Sequence, residues 1–251
     1  MLNSKVKNHI YIHMGYSRSA STWLQNKVFP VIPNLQYLGK TEADYPQWMI
    51  NWNYLDRLML DKNVDVIQSH LNRGLERGDV LVSSEAFTQT GGIVDQIERI
   101  KSLVTDPKII LVLRDPVDLV VSKYRQSRMQ GFFNDKLEHY LDYSSAPFDL
   151  VRRKRLYLHD YIYPLVIEKL FCEFGSKNTL VIKYEYLVKD SKAFLAILLK
   201  FLGVKDKLEI DYLPVNQSDK NIFVEQETIK HLRCFFDSIF NYSVIPDYIV
   251  D

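Results

Sequence analysis

Short apolar runs rich in β-forming residues alternate along this chain with longer stretches of helical periodicity, and this alternation restricts the fold most. Strands joined through helices pair in parallel and need cover on both faces. The order therefore predicts an α/β fold of three layers with a central, mostly parallel sheet. The predicted strands are residues 9–14, 35–38, 80–83, 108–113 and 179–183, and the predicted helices are residues 21–28, 65–77, 94–104, 116–130, 150–174, 191–202 and 225–240.

The composition limits the partners that such a fold can have. The 251 residues suit a single domain, predicted over residues 1–251. Lys and Arg total 32 and Asp and Glu total 31, so the basic excess of a nucleic-acid binder is missing. The sequence has no apolar run of the roughly 18 residues that a membrane span needs, and residues 1–7 do not resemble a signal peptide. A cytoplasmic protein is expected, with Cys172 and Cys234 as buried free thiols.

The segment after the first predicted strand, residues 15–24, has the composition of an anion-binding loop. In open parallel sheets, ligands bind at the carboxyl ends of the strands. Ser19, Ser21 and Thr22 offer hydroxyl groups here, and the helix start offers backbone N–H groups. Arg18 adds a planar donor with a permanent charge. A Ser-rich N-cap on an ordinary helix is the alternative that this spacing leaves open.

Charged residues also follow the third and fourth predicted strands. Glu85 lies where a general base could sit, although a solvent-facing or helix-capping glutamate is the alternative. Arg114 leaves the fourth strand just before a helix, and Ser122 lies about two turns along that helix. The two could hold one phosphate group from two directions, or Arg114 could form an ion pair with Asp115 or Asp118.

Taken in this order, the segments resemble the sulfotransferases that use 3′-phosphoadenosine 5′-phosphosulfate (PAPS). The first loop of that family reads roughly Pro-Lys-Ser-Gly-Thr-Thr-Trp-Leu, and residues 17–24 match it position by position. The second family signature is an Arg at a strand end with a Ser eight residues later, as in Arg114 and Ser122. Residues 180–187 (Leu-Val-Ile-Lys-Tyr-Glu-Tyr-Leu) and 216–218 (Asn-Gln-Ser) resemble later family segments.

This resemblance implies a P-loop-NTPase-like sheet topology and PAPS as co-substrate, with no metal required. The residues that it implies for the 5′-phosphosulfate are Ser17, Arg18, Ser19, Ala20, Ser21, Thr22 and Trp23. It implies that Arg114 and Ser122 bind the 3′-phosphate. The candidate catalytic residues are Arg18, as an electrostatic clamp, and Glu85, which aligns best with the carboxylate base of glycan-type members.

Two positions in the loop depart from the family pattern. The usual Lys is Arg18, which keeps the charge but does not readily release a proton. The usual Gly is Ala20, which strains the loop if the position needs a positive φ. Small-molecule members of the family use a His base, for which the candidates are His70, His139 and His159, each without a supporting motif.

The stretch between residues 132 and 163 bears on the acceptor, because it is rich in aromatic and basic side chains. These suit a sugar or an acidic acceptor, or else they form the solvated face of an amphipathic helix. A carbohydrate hydroxyl is the favoured acceptor and an amine the other candidate. A P-loop kinase shares the fold but normally needs Gly-Lys-[Ser/Thr] in the loop, where this chain has Ala-Ser-Thr. The second alternative is a catalytically degenerate member that only binds a partner.

Overall fold

The computed structural model describes residues 8–39, 60–88, 93–143, 156–205, 208, 210 and 221–250. Its main-sheet strands are β1 (Ile10–Gly15), β2 (Leu35–Leu38), β3 (Asp79–Ser84), β4 (Lys108–Leu113), β7 (Thr179–Lys183) and β8 (Tyr248–Ile249). Within the described residues they form one sheet in the order β2–β3–β1–β4–β7–β8. All neighbours are parallel except β8, which runs antiparallel to β7 at the edge. A separate parallel ribbon pairs β5 (Leu141–Asp142) with β6 (Leu156–Tyr157).

Helices connect these strands. They are α1 (Ser21–Trp23), α2 (Leu60–Leu75), α3 (Ile93–Leu103), α4 (Pro116–Met129), α5 (Leu137–Tyr140), α6 (Tyr163–Phe174), α7 (Tyr184–Lys189), α8 (Ser191–Phe201) and α9 (Gln226–Ile239). Their ends follow local chemistry: the Asp115 carboxylate accepts the N–H groups of Val117 and Asp118 at the start of α4, and Pro116 occupies its first position. Gly175, with φ 83°, follows the end of α6.

Two apolar cores lie on opposite faces of the sheet. On one face, Ile12 and Met14 pack with residues of α2, α3, α4, α6 and α9. On the other face, Tyr11 packs with Trp23 and the helical residues that follow it, and with α7 and α8. Because β4 is buried on both faces, its sequence is almost continuously apolar instead of alternating. The predicted three-layer α/β fold with a mostly parallel sheet is confirmed.

Two predicted helices differ from the structure. Residues 150–155 lie outside the described residues, and α6 begins only at Tyr163 with Pro164 in its first turn, so the prediction of one continuous helix over residues 150–174 is wrong. Pro lacks an N–H group, which costs nothing in a first turn but removes a hydrogen bond further along. The helix predicted at residues 21–28 begins as α1 but continues as a π-helical turn over Leu24–Val28.

The prediction that both cysteines are buried is also wrong. Cys172 and Cys234 are free and exposed. Each lies on the solvent side of an amphipathic helix, because Leu170 and Phe174 of α6 and Leu232 and Phe236 of α9 point into the core. The apolar neighbours in the sequence therefore did not indicate burial of the cysteine itself.

A buried polar group lies in the core beneath the end of β1. The Nδ1 atom of His13 lies 2.7 Å from the Ser83 hydroxyl, and the Gln25 amide donates to the same hydroxyl at 3.0 Å. The Ser83 hydroxyl thus lies between Nδ1 of His13 and the Gln25 amide, while Nε2 of His13 is buried without a hydrogen-bond partner among the described residues. Burial lowers the pKa of His13 from 6.5 to about 3.

Acid should therefore destabilise the fold partly through His13. The folded pKa lies below the unfolded value, so this contribution is present above pH 6.5 and is lost as the pH falls towards about 3. We expect His13→Asn, which keeps an acceptor for Ser83 but does not titrate, to lose less stability than the wild type between pH 7 and pH 4. The difference should be on the order of 3 kcal/mol in urea unfolding.

His231→Asn is the matched control, because this histidine is exposed on α9 and its side chain is 69% accessible. It should follow the wild-type pH dependence. Equal losses in His13→Asn and the wild type would contradict the assignment of a buried, neutral His13.

Candidate active site

Three polar segments follow the carboxyl ends of three adjacent strands. β1 lies between β3 and β4, with Met14 paired to Ser84 and Gly15 paired to Val112. These registers bring the three strands to an end at similar levels, so the segments after them meet at one edge of the sheet. The loop after β1 therefore lies between the segment that begins at Glu85 and the one that begins at Arg114.

The loop takes a path with two left-handed residues. Arg18 has φ 78° and Ala20 has φ 62°, in the region where a side chain is strained. Ala20 therefore has the strained backbone conformation that the sequence led us to expect, and the loop nevertheless leads into the first helical turn. Leu24 closes the first helical turn by donating its N–H to the Ala20 carbonyl at 3.0 Å. The N–H groups of the first turn point towards the loop, as at any helix start.

Close packing at the end of β1 holds this path in place. The Tyr16 carbonyl accepts the Ser19 N–H at 3.1 Å and the Ser21 hydroxyl at 3.2 Å. Gly15 permits the approach, because a Cβ atom there would overlap with the Ser21 side chain. The ring of Trp23 is buried in the core on the α7 and α8 face of the sheet.

Arg18, Arg114 and Ser122 meet around this loop. The Nε atom of Arg18 donates to the Ser122 hydroxyl at 3.0 Å, and Arg114 donates to the Arg18 carbonyl at 2.7 Å. Burial and the charge of Arg114 lower the pKa of the Arg18 guanidinium, whereas the charge of Glu85 raises it. Two guanidinium groups thus lie close enough to repel each other, an arrangement that an anion between them would stabilise.

Two polar atoms at this place are buried without a hydrogen-bond partner among the described residues. They are the hydroxyl of Ser19 and the Nε atom of Arg114. Buried donors normally have partners, so unsatisfied donors beside two arginines are typical of a site that binds an anion. The residues present therefore fit a phosphate or sulfate group.

The Arg114 side chain is held by stacking and its backbone by a hydrogen bond. The guanidinium lies over the ring of Tyr184 at 4.9 Å from the centroid. The Arg114 carbonyl accepts the Tyr163 hydroxyl at 2.7 Å. Burial raises the pKa of Tyr163 well above its ordinary value, so this phenol is protonated and can donate at neutral pH.

Residues from three further elements fix the start of α4. Asp115 forms a bidentate ion pair with Arg233 of α9, at 2.6 and 3.1 Å. Its backbone N–H donates to the Glu185 carboxylate at 2.9 Å, and Glu185 also accepts the Tyr242 hydroxyl at 2.8 Å. Asp115 thus pairs with Arg233, whereas the ion pair considered from the sequence would have joined it to Arg114.

Glu85 opens a 3₁₀ turn, Glu85–Thr88, directly after β3. The Thr88 hydroxyl lies 2.9 Å from the Gly15 carbonyl, which attaches this turn to the end of β1. The Glu85 carboxylate raises the pKa of both Arg18 and Lys123, so two cations lie within its field. The structure therefore brings Glu85 to the same edge of the sheet as Arg18.

The three histidines considered as alternative bases have contacts elsewhere. His70 interacts with Arg73 on α2, and His139 forms an ion pair with Asp135 at 2.8 Å on the surface. His159 is exposed and lies 3.3 Å from the Tyr143 carbonyl. These contacts favour Glu85 as the group to consider.

Some sequence predictions fall on residues outside the described ones. They are the basic run at residues 152–155 and the segment at residues 216–218. In the part of the chain that the structure describes, there is no cluster of His, Cys, Asp or Glu side chains that could hold a metal ion. Nor does a helix within that part have the length and apolar character to cross a membrane.

Lys123, Asp160 and Tyr161 lie beside the candidate site and were not predicted from the sequence. Lys123 is buried on α4 next to Ser122, and its ammonium lies over the Tyr161 ring at 5.4 Å. The sequence gives only a weak signal for these residues. Lys123 follows Ser122 after the apolar residues 119–121 of α4, and Asp160 lies between His159 and Tyr161.

The comparisons with known proteins agree with this geometry. A family model described as the sulfotransferase domain matches residues 8–230, which is most of the chain. A sulfotransferase from Alicyclobacillus acidocaldarius has a similar structure, with TM-score 0.62, 18% identity and 92% of each chain covered. At that identity, the likeness shows the fold alone. No curated protein matches the chain.

Two further solved structures are similar at a lower level. The sulfotransferase domain from the olefin synthase of Synechococcus has TM-score 0.47 and 17% identity, with 92% of this chain and 96% of that chain covered. A mouse sulfotransferase complexed with PAP has TM-score 0.47 and 18% identity, with 82% of this chain and 61% of that chain covered.

Replacing Ala20 by Gly should stabilise the protein. A left-handed residue with a side chain is strained by roughly 1–2 kcal/mol, and the greater freedom of Gly in the unfolded chain offsets about 0.4–1 kcal/mol of that. We expect Ala20→Gly to raise the free energy of unfolding by about 0.5–1 kcal/mol in chemical denaturation.

Ala196→Gly is the matched control, because Ala196 is exposed within α8. It should lower stability by about 1 kcal/mol, since Gly is a poor residue inside a helix. A loss of stability in both variants would show that Ala20 is not strained.

Proposed function

The chain belongs to the sulfotransferase family, and we propose that it transfers a sulfuryl group from PAPS to an acceptor hydroxyl or amine, with a carbohydrate the favoured acceptor. The observation that carries the proposal is the meeting of Arg18, Arg114 and Ser122 at the carboxyl edge of the sheet, within the stretch that the family model matches. Two close cations beside unsatisfied buried donors fit a co-substrate that carries phosphate at both ends.

The 3′-phosphate and the 5′-phosphosulfate of PAPS would bind to different residues of the site. Arg114 and Ser122 would bind the 3′-phosphate, while Arg18 and the backbone of residues 17–23 would bind the 5′-phosphosulfate. The Arg18 side chain donates to Ser122 and the Arg18 carbonyl accepts from Arg114, so hydrogen bonds connect the residues of the two proposed subsites. Binding of the 3′-phosphate would therefore help to order the residues that bind the 5′-phosphosulfate.

The proposed reaction is an in-line displacement at sulfur. A bond forms between the acceptor oxygen or nitrogen and sulfur while the bond from sulfur to the 5′-phosphate oxygen breaks. Glu85 accepts the proton that the acceptor loses. Arg18 stabilises the negative charge that grows on the leaving oxygen, which is the kind of electrostatic assistance that dominates phosphoryl transfer.

The carbohydrate acceptor rests on two features of the chain. A carboxylate stands at the position of the base, in the manner of glycan-type sulfotransferases. In addition, the half-buried rings of Phe133 and Tyr140 follow α4 and pack on Tyr124 of that helix, with ring centroids 5.1–6.2 Å apart. Tyr124 itself is buried, so Phe133 and Tyr140 are the rings of this group that would offer an apolar face to a sugar.

Glu85→Gln tests the base directly. The amide keeps the shape of the side chain but does not accept a proton, so turnover should fall by about 10²–10⁴-fold in a labelled-PAPS assay. Binding of adenosine 3′,5′-bisphosphate, measured by calorimetry, should stay at the wild-type value. Glu76→Gln, on the exposed turn after α2, is the control and should behave as the wild type. Unimpaired turnover in Glu85→Gln would remove Glu85 from this role.

Arg114→Ala tests the 3′-phosphate site. We expect it to weaken binding of adenosine 3′,5′-bisphosphate by about 1.5–3 kcal/mol, as the loss of a hydrogen bond to a charged group does. Arg77→Ala, exposed after α2, should leave the affinity unchanged. In the wild type, this ligand should raise the melting temperature without Mg²⁺. Stabilisation by ATP with Mg²⁺ instead would favour the kinase.

A further inference from the structure

Thr88 is a buried threonine whose hydroxyl joins two parts of the candidate site. It ends the turn Glu85–Thr88 and is only 1% exposed. Its hydroxyl donates to the Gly15 carbonyl at 2.9 Å and to the Glu85 carbonyl at 3.0 Å. Gly15 is the last residue of β1, where the loop begins. One side chain therefore connects the start of the loop with the residue proposed as the base.

The contact with Gly15 differs from the one that a threonine commonly makes in a helical turn. Ser and Thr hydroxyls in such turns often bond to the carbonyl three or four residues earlier, and the contact with Glu85 is of that local kind. The Gly15 carbonyl belongs to another strand, 73 residues away in the chain. This second hydrogen bond fixes the turn relative to β1, which a local bond cannot do.

The strand before the turn is held independently of Thr88. β3 pairs with β1 along its length. The Ser83 hydroxyl accepts the Gln25 amide at 3.0 Å and lies 2.7 Å from Nδ1 of His13. These contacts fix the end of β3 without any contribution from Thr88. Loss of the Thr88 hydroxyl should therefore act on the turn that begins at Glu85, while the strand stays in place.

The turn has a second anchor in Phe87, whose ring is fully buried in the core. Apolar burial is not directional, so it holds the turn against the core without setting its orientation closely. A hydrogen bond depends steeply on distance and angle. The bond from Thr88 to Gly15 is therefore the contact that sets how Glu85 is presented at the edge of the sheet.

We propose that Thr88 is a positioning residue for Glu85, which it holds at a fixed place relative to the loop that would bind the phosphosulfate. The proposal rests on the proposed function, in which Glu85 accepts the acceptor's proton. A base must lie within hydrogen-bond reach of the proton that it removes, and small displacements of a reacting group lower the rate strongly. Thr88 is buried, so it acts through Glu85 and not on the substrates.

This role should appear in turnover and not in binding of the co-substrate. The contacts that join Arg18, Arg114 and Ser122 do not include the turn Glu85–Thr88. Without the Thr88 hydroxyl, adenosine 3′,5′-bisphosphate should therefore bind as it does to the wild type. The acceptor would still enter the site, but its proton would less often lie within reach of the Glu85 carboxylate, so kcat should fall.

The experiment compares Thr88→Val and Thr88→Ser with the wild type. The assay uses labelled PAPS and the oligosaccharide, phenol or amine on which the wild type is most active. Thr88→Val keeps the shape of the side chain but lacks the donor, so kcat should fall by about tenfold or more. Thr88→Ser keeps the donor and should restore most of kcat. Both variants should bind adenosine 3′,5′-bisphosphate with the wild-type affinity, measured by calorimetry.

Thr179→Val is the matched control for a structural effect. Thr179 is fully buried, and its hydroxyl donates to the Gly175 carbonyl at 3.0 Å. It lies at the amino end of β7, on the opposite edge of the sheet from the candidate site. Thr179→Val and Thr88→Val should lose similar stability in urea unfolding, since each loses one buried donor. Only Thr88→Val should lose turnover.

A double variant tests whether the effect passes through Glu85. Adding Thr88→Val to Glu85→Gln should not lower kcat further, because the base whose position it disturbs is already lost. A further fall of the size seen in the wild-type background would overturn the proposal. So would a kcat in Thr88→Val equal to that of the wild type, or a failure of Thr88→Ser to restore turnover.

The remaining results separate the proposal from the function beneath it. Weaker binding of adenosine 3′,5′-bisphosphate to Thr88→Val would overturn the proposal, because Thr88 would then act on the loop and not on Glu85. Should Thr88→Val fail to fold, Thr88→Cys replaces it, since a thiol is a weak donor, and a kcat equal to that of Thr88→Ser would overturn the role. Absence of turnover by the wild type with all three classes of acceptor would instead defeat the proposed function, and the role of Thr88 with it.

Discussion

The side chains of Arg18 and Arg114 are held close together at the carboxyl edge of the sheet, and the site depends on the contacts that hold these two like charges in place. Arg114 donates to the Arg18 carbonyl, and Arg18 donates to Ser122, so each guanidinium has a fixed neutral partner. Neither contact neutralises a charge. Glu85 offsets part of the charge of Arg18, and an anion between the two guanidinium groups would reduce their repulsion further. This supports the proposed binding of a co-substrate with two anionic groups.

The scaffold that holds these charges extends to the far end of the chain. Asp115 is fixed by Arg233 of α9, and its backbone is fixed by Glu185, which in turn accepts from Tyr242. Arg233 and Tyr242 lie beyond residue 230, where the match to the family model ends. The part of the chain that positions Arg114 is therefore wider than the part that carries the family signature. Changes in α9 can be expected to act on the site at a distance, through the start of α4.

The central strands were predicted well from the sequence, because strands buried on both faces need apolar residues at nearly every position. Residues 35–38, 108–113 and 179–183 are strands with the predicted bounds. The meeting of three segments at one edge also followed from the alternation of elements, whereas the order of the strands and the edge strand β8 were not predicted. In contrast, the placement of Lys123 and Asp160 beside the candidate site was missed, since it arises from contacts between elements that are distant in the chain. Burial of the cysteines was predicted wrongly for a related reason: apolar neighbours along a helix do not say which way a given side chain points.

The left-handed residues of the loop bear on whether the site can still be catalytic. Ala20 was the feature that most favoured a degenerate binding protein, because a Gly is usual at this place. In the structure Ala20 adopts the left-handed conformation in spite of its side chain, with φ 62°. Strain of this kind persists only where the surroundings determine the conformation more strongly than the residue opposes it. Here those surroundings are the close approach of Ser21 to Gly15 and the hydrogen bond from Leu24 to Ala20. The loop path is thus set by its anchors, and the loss of Gly costs stability without removing the groups that would hold the phosphosulfate.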